Sequence, residues 1–268
     1  MSVTALVLAY DGREFAGWQR QPGERTVQGV VEAALARVHG ARELTIVGAG
    51  RTDRGVHALG QVASYPPPTP RDPQLLWHAL SRLLPPDLRV LNVIATDASF
   101  HACRSAIAKL YCYRILLRPL ALPFELPFAW QLHGQIDVEA MRQAARMLIG
   151  RHDFASFSVM GGQSKTTTRE ISRIELELSN DQQLSLKIEA DGFLYRMVRV
   201  IVGLLVEIGR GRRSPRSIEA LLSQPRFGAA RAMAPPHGLC LVHVDYPSSF
   251  AISSAQLCDA DGPLAAPV

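Results

Sequence analysis

The chain has 268 residues, 47% of them hydrophobic and 20% charged, which excludes wholesale disorder and leaves room for one large or two small domains. The formal net charge is +5, and 26 of the 29 cations are arginines, only Lys109, Lys165 and Lys187 being lysines. Guanidinium groups fork onto phosphates and stack on bases, so this bias fits a nucleic-acid partner, while a G+C-rich coding sequence would produce the same bias.

Residues 3–10 form a continuous apolar run ended by Asp11-Gly12, which predicts a buried strand. Thr26 precedes a stretch in which Val27, Val30, Val31, Ala34, Leu35 and Val38 recur at helical spacing until Gly40 stops it. A strand over 44–47 leads into the glycine-rich segment 48–55, and a strand over 57–65 leaves it. The proline cluster at 66–70 marks a surface connection, because proline cannot donate to a ladder. A helix over 75–84 and a strand over 88–95 follow. From Lys109 the order repeats in outline: a strand at 111–117, an amphipathic helix at 138–149 after Asp137, a strand pair at 171–179 and 184–190, a strongly apolar helix at 195–208 and a last strand at 239–246.

Two successive β-α-β sets predict a duplicated α+β unit with its boundary near 104–109. The halves are expected at 1–105 and 106–246, with 247–268 as a loose tail of small, polar, Pro- and Gly-containing residues. The four cysteines, Cys103, Cys112, Cys240 and Cys258, form no CxxC pair and no zinc-ligand cluster, so no disulfide framework or metal site is expected and a reducing cytoplasm fits best. The start of the chain lacks a basic stretch ahead of its apolar run and does not read as a signal peptide. No apolar stretch reaches the length of a membrane span.

The most unusual segment is Gly48-Ala49-Gly50-Arg51-Thr52-Asp53-Arg54-Gly55. It is not a dinucleotide fingerprint, since the third glycine falls on Asp53, and it lacks the Gly-Lys-Ser/Thr of a phosphate-binding loop. What remains is one acid and two arginines held between two strands by residues that allow tight turns. A carboxylate flanked by Arg51 and Arg54 is expected to be ionised at neutral pH and suited to act as nucleophile or base. The alternative is a hairpin whose Asp53 makes a local salt bridge.

Arg199 lies in a helix that is apolar on nearly every face, so its guanidinium either finds a buried carboxylate or snorkels along its stem to the surface. Tyr111 and Tyr113 fall on one face of their strand, as a platform for an unstacked base or as core tyrosines with satisfied hydroxyls. Asp11-Gly12 with Phe15, Gly17 and Trp18 reads as a turn that packs its aromatics. The Arg210, Arg212 and Arg213 cluster reads as a solvated face able to touch phosphate.

Eight stretches, in order, resemble the tRNA pseudouridine synthase A family: YDGREFAGWQRQP (10–22), TVQGVVEAAL (26–35), GAGRTDRGVHALGQVA (48–63), FHA (100–102), KLYCYRI (109–115), HDFASF (152–157), FLYRMVRVIVGLL (193–205) and PHGLCLVHVDY (236–246). The chain departs from the pattern at Cys103-Arg104, where the family usually has an arginine directly after FHA. The resemblance implies an isomerase, an intramolecular transferase that converts uridine to pseudouridine at positions 38, 39 and 40 of the tRNA anticodon arm. It implies a homodimer without metal, redox cofactor or ATP. The implied fold is two similar ferredoxin-like, RRM-like α+β halves whose sheets meet at a central basic cleft. It implies Asp53 as nucleophile or base, Arg199 as its ion-pair partner, Tyr111 packed on the uracil and Arg51 filling the space left by a flipped base. The competing expectation is a non-catalytic RNA-binding protein on the same scaffold. Such a binder has no reason to place a phosphate-repelling carboxylate among its cations.

Overall fold

The computed structural model describes residues 2–162 and 164–252. In chain order the first elements are β1 (Val3–Tyr10), α1 (Val27–His39), β2 (Val47–Gly48), β3 (His57–Tyr65), α2 (Pro73–Leu83), β4 (Leu88–Thr96) and β5 (Ala108–Leu116). They are followed by β6 (Trp130–Gln131), α3 (Val138–Arg146), β7 (Gly150–Asp153), β8 (Thr168–Leu178), β9 (Gln183–Ala190), α4 (Met197–Gly209), α5 (Ser217–Ser223) and β10 (Leu239–Asp245). Most of the tail expected over 247–268 lies outside the described residues, as does Cys258. At its start, Ser248–Phe250 form a single 3-10 turn, and the Phe250 ring packs edge-on against Phe100 at 5.2 Å.

The chain divides into two compact units, each α+β with mainly antiparallel pairing. One combines the chain up to Lys109 with the chain from Cys240 onward; the other is Leu110–Leu239. In the first unit the strand order is β4-β1-β3-β10, with β2 also on β3. β1 runs antiparallel to both β3 and β4 and is buried on both faces from Thr4 to Leu8, with Val31, Leu35, Val62 and Leu80 also in the core. β10 pairs in parallel with the start of β3, Cys240 opposite His57, whereas β2 pairs antiparallel with its end, Gly48 opposite Ala63. A Cβ on Gly60 would stand 2.4 Å from the Val242 carbonyl oxygen, so only glycine lets β10 lie this close.

α1 is bounded as its sequence predicts: the Thr26 hydroxyl accepts from the Gly29 amide, and Gly40 closes the helix at φ 63°. The strand expected over 44–47 is reduced to Val47–Gly48. The reason is a buried polar network from α1. Glu32, only 4% exposed, accepts the Ile46 amide at 3.0 Å, and Gln28 donates to the Ile46 carbonyl at 3.2 Å. Both backbone groups that would extend the ladder are therefore occupied by side chains.

In the second unit the order is β5-β9-β8-β7, with β6 parallel to β5. α4 begins at Met197, two residues later than the apolar run, because Arg196 takes a left-handed conformation at φ 61°. α3 packs on α4 so closely that a Cβ on Gly209 would lie 2.9 Å from the Met141 side chain. The short elements β6, β7 and α5 add to those expected. Among the described residues no helix is long and apolar enough to cross a membrane.

Glu32→Ala should leave the Ile46 amide buried without its acceptor. A loss of about 1–3 kcal/mol in unfolding free energy is expected; unchanged urea-denaturation midpoint and slope would show that the network contributes nothing.

Candidate active site

Asp53 and Arg51 sit in the first unit, on the connection between β2 and β3. Asp53 is half-buried, Arg51 and Arg54 are exposed, and Thr52 between them is buried. The loop turns tightly: the Val56 amide donates to the Asp53 carbonyl at 3.1 Å, and Gly55 takes φ 79°. Arg54 pairs with Glu24 at 3.1 Å.

The loop rests on the turn that follows β1. There Phe15 and Trp18 are almost wholly buried, and both rings lie against Tyr10 at 6.3 and 6.5 Å. The Trp18 amide donates to the Thr52 carbonyl at 3.0 Å, and the Tyr10 and Thr52 hydroxyls share a 2.8 Å hydrogen bond. Gln61, fully buried on β3, donates to the Gly50 carbonyl at 2.9 Å. Two glycines of the turn make this approach sterically possible: a Cβ on Gly12 would lie 2.0 Å from the Val56 carbonyl oxygen, and one on Gly17 2.8 Å from that of Thr52. Burial pushes the Tyr10 phenol well above its ordinary range, so it remains a neutral hydrogen-bonding group.

The sequence reading treated the aromatic turn and the acidic loop separately, and the structure joins them. Lys109 was also missed. A Cβ on Gly50 would stand 3.5 Å from its ammonium nitrogen, which places a third cation beside the loop. Its rarity, one of three lysines among 29 cations, was the available signal.

At the foot of the turn, burial works against ionising Asp11, yet the neighbouring His57 ring and hydrogen bonds from Arg13 outweigh it and hold the carboxyl well below the usual carboxylate range. The His57 Nδ1 lies 3.3 Å from the Asp11 carboxylate.

Tyr111 and Arg199 sit in the second unit. Tyr111, on β5, is 7% exposed, and its ring meets Phe193 edge to face at 5.2 Å. Tyr113 is fully buried and donates its hydroxyl to the Pro235 carbonyl at 2.9 Å, the satisfied core tyrosine of the two. Burial raises its phenol strongly, with Arg199 acting in the opposite direction. Arg199, in the first turn of α4, is half-buried, and its Nε donates to the Ala234 carbonyl at 2.9 Å. The backbone clamps from the other direction: the Ala234 amide donates to the Arg199 carbonyl at 2.9 Å. In the basic cluster, Arg213 is tied to the Ala230 carbonyl and to Glu207, while Arg212 stays exposed.

The first unit thus presents a half-buried carboxylate on a backbone-braced loop that also carries Arg51 and Arg54, a group able to take a proton or attack an electrophilic carbon. The second presents an aromatic ring and a planar cation held by the Ala234 carbonyl.

The sequence profile of a family described as tRNA pseudouridine synthase matches residues 6–104 and 144–247. The first span contains Arg51 and Asp53 and the second Arg199; Tyr111 falls between them. A protein called tRNA pseudouridine synthase A from Syntrophotalea carbinolica is 41% identical over 246 residues, 92% of this chain and 97% of that protein. Proteins of the same name from Chlamydia felis and Bacillus pumilus are 38% and 42% identical, over 97% and 89% of this chain and 97% of each of theirs.

Asp11 generates a pH dependence of known sign. Its folded-state value is depressed below the ordinary value of about 3.9, so it stabilises the fold above that pH, and the contribution disappears as pH falls through the folded value. Asp11→Asn should therefore lower stability at pH 7 and converge on the wild type in strong acid. Parallel stability curves from pH 7 to pH 2 would contradict this.

Proposed function

The chain belongs to the tRNA pseudouridine synthase A family, and from that premise we propose that it converts uridine to pseudouridine in tRNA, at positions 38, 39 and 40 of the anticodon arm, as a homodimer. The observation that carries this reading is Asp53 on a loop buttressed from beneath by Tyr10, Trp18 and Gln61. A protein that only bound RNA would gain nothing from placing a carboxylate on a braced loop that also carries Arg51 and Arg54.

In this reading the two units are similar ferredoxin-like halves whose sheets meet at a basic cleft. The target nucleotide is extruded from the stem, at a cost of a few kcal/mol, because its base edge is unreachable inside a helix. The N1–C1′ bond breaks, the uracil turns, C5 bonds to C1′, and the C5 proton leaves while N1 ends protonated. Atoms and electrons balance within the nucleoside, so the isomerisation consumes no oxidant, reductant or nucleotide. Asp53 serves as nucleophile or base. Attack at C1′, attack at C6 and removal of a sugar proton all require its ionised carboxylate within reach of the nucleoside.

Arg199 pairs with Asp53 and fixes its direction. Its Nε bond to the Ala234 carbonyl holds the guanidinium in place on α4. Tyr111 packs on the uracil, with Phe193 behind it limiting the ring's rotation. Arg51, exposed on the same loop as Asp53, fills the space the base vacates.

With tRNA carrying tritium at uracil C5, wild type should release the label to water. Asp53→Ala and Asp53→Asn should release essentially none while still binding tRNA. Release by either variant at the wild-type rate would overturn the role of Asp53. Arg199→Leu should lose most turnover and some stability; a variant as active and as stable as wild type would dispose of the ion pair.

A further inference from the structure

The second unit holds a cavity of about 280 Å³ that the reaction described above does not use. Its walls come from the segment before β8 and the residues leading into α4, with Phe227 closing one side. Three large side chains line it while remaining substantially in water: Met160 is 74% exposed, Phe227 52% and Tyr195 39%. Clustered exposure of apolar surface around one concavity is costly in the free protein and marks a place where something docks.

The chemistry of the rim narrows the occupant. Ser164 and Thr167 bring hydroxyls that donate and accept, the mixed pattern of a base edge. Arg196 lies over the Tyr195 ring at 4.8 Å, and Lys165 and Arg226 are exposed neighbours in sequence of lining residues. Among the described residues the lining carries no carboxylate. Flat rings beside cations are how single-stranded nucleic acid is held without regard to sequence. Gly162 lets the two walls approach: a Cβ there would press to 3.2 Å on that of Tyr195.

The cavity is also continuous in chain with the residues assigned to the target uridine. One segment, residues 193–199, carries Phe193 against Tyr111, Tyr195 into the cavity and Arg199 into α4.

We propose that this cavity takes an unpaired nucleobase of the substrate RNA other than the target uridine, stacked on Tyr195 and Phe227. The proposal rests on the reading of the protein as a tRNA-modifying enzyme. It supplies a second grip that fixes the RNA while the target nucleotide leaves its stack.

The test uses the full chain and anticodon stem-loops carrying 2-aminopurine at one loop position at a time. At one or more positions other than the target, fluorescence should change on binding to wild type and not on binding to the Tyr195→Ala/Phe227→Ala double variant. The dissociation constant of that variant should rise about tenfold, and Tyr195→Phe in place of Tyr195→Ala should restore much of the loss. Both residues are exposed, so the double variant should keep the wild-type circular dichroism. Equal affinity and equal fluorescence for wild type and double variant would overturn the proposal, as would binding lost equally by Tyr195→Phe. Tritium release by wild type separates the two readings: release without any binding difference refutes the cavity alone, and a binding difference without release refutes the reaction alone.

Discussion

The hydrogen bond from the Trp18 amide to the Thr52 carbonyl joins two pieces of chain that carry the chemistry of the first unit. Its consequences run in both directions. Toward α1, the carbonyls of Gly17 and Trp18 accept the amides of Val27 and Gln28, two of the donors that a helix start leaves unmet. Toward the loop, Thr52 is held at its carbonyl by Trp18 and at its hydroxyl by Tyr10. A helix, an aromatic turn and an acidic loop therefore share one set of bonds. Asp53, adjacent to the pinned residue, inherits a fixed backbone without itself being deeply buried. Fixing the neighbour and leaving the functional side chain accessible is how a loop reconciles precision with reach.

The second unit uses a different device for the same end. Residues 234–235 act as a backbone brace: the Pro235 carbonyl accepts from Tyr113 on β5, and Ala234 exchanges bonds with Arg199 on α4. Glycines again permit the approach, since a Cβ on Gly203 would lie 2.6 Å from the Met233 nitrogen and one on Gly238 2.7 Å from the Tyr113 ring. One strand and one helix are located by the same short stretch of chain.

Much of this was legible in one dimension, and the exceptions have physical causes. Thr26 and Gly40 marked the ends of α1 because capping is local chemistry. The apolar runs of β1 and β3 were equally plain. The truncation of β2 was not, because it depends on Gln28 and Glu32 reaching Ile46 from 18 and 14 residues away. The parallel partner of β3 was hidden for the same reason, since β10 arrives from the far end of the chain. Asp53 stood out by composition alone, as an acid in a glycine-rich, arginine-flanked segment. Its supports did not, because Tyr10 and Thr52 are 42 residues apart and nothing in their spacing announces a bond. The periodicity around Tyr111 and Arg199 suits core or snorkelling residues as well as functional ones, and family resemblance singles them out.

The parallel pairing of β10 with β3 also bears on how the chain is made. His57 and Ala58, which directly follow the Asp53 loop, take their partners from Cys240 and Leu241. On a ribosome adding roughly 5–20 residues per second, β3 emerges about 10–35 seconds before its neighbour exists. Throughout that interval the nascent first unit displays an open strand edge, bordered by a glycine that offers no side chain to shield it. Vectorial synthesis thus leaves the first residues of β3 without their parallel neighbour until nearly the whole polypeptide has been translated, while the acidic loop already has every brace it draws from residues 10–61.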